Sequence, residues 1–201
     1  MKKILILATL GTVLLIFLFS SSSEIRNTNP KGESIVCFGD SLTYGTGASL
    51  GMDYPAQLSA LTGMEIINAG VPGETTAQAL ERIDQILELD PKIVIITLGG
   101  NDLKNRVSKS TAFNNLETLI LTLQESGALV ILGGIDIPFY GRGFARGYQD
   151  LAQRTGAVLI PNVLDGIMGT PGLMSDPIHP NSQGYTIMAR HFHQALRPYL
   201  Q

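Results

Sequence analysis

The sequence predicts an α/β domain, a doubly wound parallel sheet of five strands with helices on both faces. Three observations carry this. Short apolar runs at 34–38, 65–68, 92–98, 128–132 and 157–160 lack polar alternation, as strands do when both faces of their sheet are covered. Helical patterns separate several of these runs, the order expected of parallel crossover units. The first three runs lead into glycine and polar residues, at the strand ends where such sheets bind ligands.

Each element has its own signals. After the first run, Asp53 is placed to cap a helix with Pro55 in its first turn, running to about Leu61 and stopping before Gly63. The second run enters a glycine-rich loop and then a helix over 75–89. That helix carries Leu80, Ile83, Ile86 and Leu87 on one face and ends at Asp90-Pro91. After the third run, a helix over 110–125 gathers Phe113, Leu116, Leu119, Ile120 and Leu123 and stops at Gly127. The segment 182–197 aligns Tyr185, Met188, Ala189, Phe192 and Leu196, with Ser182 as its expected N-cap and Pro198 closing it.

Composition narrows the function. At 201 residues the chain has the length of one domain. A formal net charge of −3, no Trp and no aromatics clustered among basic residues argue against nucleic-acid binding. A single cysteine, Cys37, excludes an internal disulfide and a cysteine-based metal cluster. It lies within the first strand pattern, too far from the N-terminal apolar run to carry a lipid.

That N-terminal run reads as a targeting element. Lys2-Lys3 precede an apolar stretch from Ile4 to Phe19, followed by Ser20 to Ser23. Sixteen helical residues span roughly 24 Å, short of a ~30 Å hydrocarbon core, which suits a signal peptide. A bilayer that thins locally would also hold residues 4–19 as an anchor. Residues 1–23 are therefore expected to direct export, by cleavage or by tethering. Residues 24–33 are expected to form a linker, and 34–201 the folded domain.

Four segments bear chemistry. The first strand runs into Gly39-Asp40-Ser41-Leu42, and the chain closes with Ser175-Asp176-Pro177-Ile178-His179-Pro180. A serine hydroxyl needs a base to take its proton, and that imidazole needs a carboxylate to orient it. Ser41, His179 and Asp176 supply these types. Asp176-x-x-His179 alone equally fits a helix cap, a surface pair or half of a metal site. Between them lie Asn68-Ala69-Gly70-Val71-Pro72-Gly73-Glu74-Thr75 and Leu98-Gly99-Gly100-Asn101-Asp102. Acyl transfer develops an oxyanion that requires fixed donors. The backbone N–H groups of Ser41 and Gly73 and the Asn101 carboxamide are the candidates. Gly73 also fits a turn needing positive φ, and Asn101 a loop-capping amide. Position 43 is Thr, so the Gly-x-Ser-x-Gly elbow of α/β-hydrolases is absent.

In their residues and order these four blocks resemble the SGNH (GDSL) hydrolase family over nearly all of 34–200. The Asn68–Thr75 and Leu98–Asp102 runs are similar to its arylesterase and thioesterase I/lysophospholipase L1 branch. The resemblance implies a flavodoxin-like single domain without a cofactor or metal. It implies Ser41 as nucleophile, His179 as base and acid, Asp176 as orienter, and an oxyanion hole of Ser41, Gly73 and Asn101. The substrate it implies is a small acyl ester or thioester. Two rivals share the fold: a carbohydrate O-acetylesterase of the cell envelope and a catalytically silent, membrane-tethered binding module.

The remaining polar residues read as structural. Asp40 and Asp102 are expected to brace loops, and His191 and His193 to sit on the last helix without a chemical role. Glu74 is placed either to face the cleft or to favour a helix N-terminus. Ile137, Pro138, Phe139, Tyr140 and Phe144 either line an acyl pocket or pack against the last helices, as do Leu173 and Met174. Arg142 and Arg146 are candidates to meet an anionic head group.

Overall fold

A computed structural model describes residues 24–136 and 143–200. The signal or anchor expected at 1–23 lies outside the described residues, as do Ile137, Pro138, Phe139, Tyr140 and Arg142. Five parallel strands form one sheet in the order β2-β1-β3-β4-β5: β1 (Ser34–Gly39), β2 (Ile67–Gly70), β3 (Pro91–Thr97), β4 (Leu129–Gly133) and β5 (Val158–Ile160). The interior strands β3 and β4 are almost wholly buried, whereas the edge strands β2 and β5 are partly exposed. Continuous apolar runs are what a sheet covered on both faces requires. The chain steps from β1 outward to β2, then crosses back over β1 to β3. That reversal leaves a crevice at the carboxyl ends of β1 and β3.

The helices are α1 (Ser41–Tyr44), α2 (Tyr54–Thr62), α3 (Thr76–Glu81), α4 (Ile83–Leu87), α5 (Gly100–Lys104), α6 (Lys109–Glu125), α7 (Phe144–Thr155) and α8 (Ser182–Leu196). α2 packs on α8, where the Tyr54 and Phe192 rings stack with centroids 4.5 Å apart. α6 packs between α3 and α7, its Phe113 ring lying edge-on to Tyr148 at 5.1 Å.

Several expectations are corrected. The helix over 75–89 breaks at Arg82 (φ −120°, ψ 16°) into α3 and α4, and the Arg82 side chain folds back onto Glu74. The last helix is capped by Asn181, which accepts from the Gln183 and Gly184 N–H groups; Ser182 instead accepts from the Ser49 N–H. Helix α7 is not among the expected elements, although its buried Phe144, Tyr148, Leu151 and Ala152 recur at helical spacing. Gly147 is needed there: a Cβ would stand 2.4 Å from the Phe113 ring.

Residues 26–33, within the expected linker, are tied to the domain. Arg26 N–H donates to Gly156 O, Lys31 N–H to Gly127 O and Glu33 N–H to Asp90 O. Asn27 Nδ2 donates to Gln124 O and Ala128 O, both at 2.8 Å. The segment straps the amino-terminal edge of the sheet, opposite the crevice. Among the described residues, no helix is long and apolar enough to cross a membrane.

Candidate active site

Ser41 stands where β1 turns into α1, at the first helical position, where its N–H has no intrahelical acceptor. The turn is tight. A Cβ on Gly39 would meet Thr97 O at 2.4 Å, and one on Gly70 would meet Tyr44 N at 2.1 Å, so both positions must be glycine. Asp40 caps α1 by accepting from the Leu42 N–H at 3.0 Å. Thr43 of α1 is tied through the Tyr54 hydroxyl, at 3.1 Å, towards Thr97 of β3.

The structure brings Asp176, His179 and Ser41 into one chain of contacts. His179 Nε2 lies 2.9 Å from Ser41 Oγ, and His179 Nδ1 lies 2.6 Å from Asp176 Oδ2. Asp176 Oδ1 accepts from the N–H groups of Ile178 and His179, both at 2.8 Å. The loop closes on itself, with Ser175 N–H donating to His179 O and Met174 bridged to Pro180. Slight burial opposes ionisation of Asp176, but the His179 ring and the two backbone donors outweigh it. They hold the carboxyl below its ordinary range.

Gly73 occupies the third position of the turn Val71-Pro72-Gly73-Glu74, closed by Glu74 N–H to Val71 O at 3.2 Å. Its φ of +82° with open space around it means glycine is required for conformation, as in a proline–glycine type II turn. Among the described residues its N–H meets no backbone or side-chain acceptor.

Asn101 follows β3 on α5. Its Nδ2 donates to Asp40 Oδ2 at 3.1 Å and to Glu74 O at 2.9 Å, joining the serine turn to the Gly73 turn. Asp40 and Asp102 both brace loops. Asp102 accepts from the Thr76 N–H and hydroxyl, at 2.9 and 2.7 Å. Burial of Asp40, reinforced by the charges of Glu74 and Asp102 and opposed by the Leu42 N–H, raises its pKa to about 7. Glu74 does not face the cleft; it is buried and paired with Arg82.

A cleft of about 510 Å³ opens beside Ser41, Asn101 and His179, walled by Leu103, Ile135, Leu164, Met168, Pro177 and Ile178. None of these six stands out in the sequence, since each is an ordinary apolar residue whose neighbours are set by the fold. Among the residues expected to line it, Phe144 is buried against Phe113, and Leu173 and Met174 join the closed loop near Pro180. Arg146 is exposed, 3.9 Å from Asp150. His191 contacts Val163 O on the last helix.

Two tyrosines support the site through partners that the sequence does not reveal. Tyr148 on α7 donates to Leu98 O at 2.7 Å and so holds the strand end that carries Asn101. Tyr185 donates to Thr46 O, steadying the loop after α1. A buried Tyr needs a partner for its hydroxyl, but sequence does not say which. Among the described residues, no group of three or more His, Cys, Asp or Glu is placed to hold a metal ion.

Comparison with known proteins agrees with the fold. Residues 37–187 match the GDSL-like lipase/acylhydrolase family. The chain is 29% identical over 180 residues to esterase TesA of Pseudomonas aeruginosa, covering 84% of this chain and 90% of that protein. It is 27% identical over 175 residues to the thioesterase 1/protease 1/lysophospholipase L1 of Escherichia coli, covering 83% and 84% of the two chains. The crystal structure of AlinE4, an SGNH-hydrolase family esterase, superposes with a TM-score of 0.67 at 35% identity, covering 83% of this chain and 96% of that one. The chain thus belongs to the GDSL-like lipase/acylhydrolase family and is a hydrolase of ester bonds.

Proposed function

We propose that the protein hydrolyses small acyl esters and thioesters through an acyl-enzyme on Ser41. The observation that carries this is the continuous contact chain from Asp176 through His179 to Ser41 Oγ at the mouth of an apolar cleft. His179 Nε2 takes the Ser41 proton as Oγ attacks the carbonyl carbon, and Asp176 stabilises the imidazolium. The N–H groups of Ser41 and Gly73 receive the oxyanion, with the Asn101 amide turning one N–H from its present acceptor to join them. His179 then gives the proton to the leaving alcohol or thiol. Water repeats the cycle on the acyl-serine.

The apolar walls support a longer acyl group over acetyl. Each buried methylene is worth about 0.8 kcal/mol, so kcat/KM on p-nitrophenyl esters should rise roughly fourfold per carbon until the cleft is filled. Acetylated sugars should be poorer substrates. A preference for acetyl would instead favour the O-acetylesterase reading. A fluorophosphonate should label Ser41 once, and Ser41→Ala should abolish labelling and turnover in a folded protein. Labelling elsewhere, or a fully active variant, removes the mechanism.

Export belongs to the same proposal. The basic and apolar character of residues 1–23 supports it.

A further inference from the structure

We infer that Arg82 is a positioning residue that holds the oxyanion-binding turn through Glu74; the inference rests on the serine-hydrolase reading of the site. Arg82 and Glu74 are both largely hidden from solvent, their side chains 16% and 3% exposed. Arg82 Nε and Nη2 grip the two Glu74 carboxylate oxygens at 2.5 and 2.7 Å in a bidentate fork. The same Nη2 donates to Ala69 O at 2.8 Å, and the guanidinium lies 4.5 Å from the centroid of the Phe38 ring.

Every partner adjoins one of the three candidate oxyanion donors. Glu74 directly follows Gly73, and its carbonyl receives the Asn101 amide. Ala69 is the penultimate residue of β2, the strand that leads into the Val71–Glu74 turn, and Phe38 lies in β1, three residues before Ser41. One planar cation therefore fixes β2, the Gly73 turn and the strand that delivers Ser41. Lysine, a point charge, cannot make this set of contacts at once. The helix breaks at Arg82 although neither proline nor glycine stands there.

A purely structural role makes a different forecast. Buried ion pairs replaced by well-packed hydrophobic residues of similar volume commonly cost little stability. Only the geometry they impose is lost, and an oxyanion site is sensitive to such displacement.

The test uses Arg82→Lys and the paired Glu74→Leu/Arg82→Met, with Glu117→Gln/Arg154→Met as control for a part-exposed ion pair between α6 and α7. Thermal unfolding, kcat and KM on p-nitrophenyl butyrate, and fluorophosphonate labelling are measured on each. The paired variant should unfold near the wild-type temperature, yet lose about tenfold or more in kcat with KM within about twofold. The loss should be the same factor from pH 5.5 to 9, because Asp176 and His179 are untouched. Arg82→Lys should keep part of the activity, and the control pair all of it.

Unchanged kcat in a folded paired variant overturns the inference, as does a loss that only follows the folded fraction, or a shifted pH profile. If the paired variant does not fold, Arg82→Lys decides: wild-type kcat in it overturns the inference. A wild-type protein left unlabelled at Ser41 overturns the active-site reading, and the inference with it. A labelled, active wild type beside unimpaired variants overturns the inference alone.

Discussion

Asn101 and Asp40 carry more than one duty each, and the two duties are separable by experiment. In the substrate-free protein both Nδ2 hydrogens of Asn101 meet protein acceptors, Asp40 Oδ2 and Glu74 O. Asn101→Ala should lower kcat by about 10²–10³ with a smaller effect on KM, the usual loss for one oxyanion donor. A rise in KM alone would make Asn101 a loop brace. Asp40 ionises near its ordinary value when unfolded but holds its proton to about pH 7 in the fold. Between roughly pH 4 and 7 the native state therefore carries the extra proton, so this group lowers stability as pH rises through that window and levels off above it. Asp40→Asn should remove a slope of up to about 1.4 kcal/mol per pH unit, seen in thermal unfolding between pH 5 and 7. Asparagine still caps α1, but its one oxygen cannot accept from both Leu42 and Asn101, so kcat should fall at every pH. An unaltered pH slope would place the proton elsewhere.

Helix α6 depends on a strap that lies outside the sheet. Asn27, in the left-handed region at φ 56°, caps its carboxyl end through Gln124 O and Ala128 O. Losing two hydrogen bonds of ordinary worth, Asn27→Ala should destabilise the domain by about 1–3 kcal/mol and leave kcat unchanged. The readout is the denaturant midpoint alongside kcat. Helix α7 has the opposite vulnerability. Gly147→Ala forces a Cβ against the Phe113 ring and should cost about 1–3 kcal/mol by overpacking, although alanine is the better helix former. Wild-type stability in that variant would mean that α6 and α7 slide apart freely.

Polarity of the whole domain separates the strap from the chemistry. The strap binds the amino-terminal edge through Asp90, Gly127 and Gly156, while Ser41, Gly73 and Asn101 follow the carboxyl ends of their strands. Removal of residues 1–23 should therefore give a fully active protein of wild-type stability. A cut at about residue 28, inside what the composition presents as a linker, deletes Arg26 and Asn27 and should lower the unfolding temperature without changing kcat. Equal stability of the two truncations would show the strap to be dispensable. Mass spectrometry of the full-length product separates the two forms of export. A new N-terminus near Ser22–Glu24 means cleavage, and an intact Met1 in the membrane fraction means a tether.

The sequence by itself determined the fold class and the order of its strands along the chain. Five unalternating apolar runs admit little but a sheet buried on both faces. It also singled out Ser41, Asp176 and His179, not through either segment alone but through four blocks whose order resembles the SGNH (GDSL) hydrolases. It did not determine what reaches across the fold. Arg82 sits in a helical pattern, and only the fold brings Glu74, Ala69 O and the Phe38 ring around it. The Tyr148 hydroxyl finds Leu98 O fifty residues away, and the cleft is assembled from α1, α5, the loop after β4 and the loops after β5. Such partners lie far apart in the chain and carry no local signal. Periodicity records which face of an element is buried, and only tertiary packing decides against what.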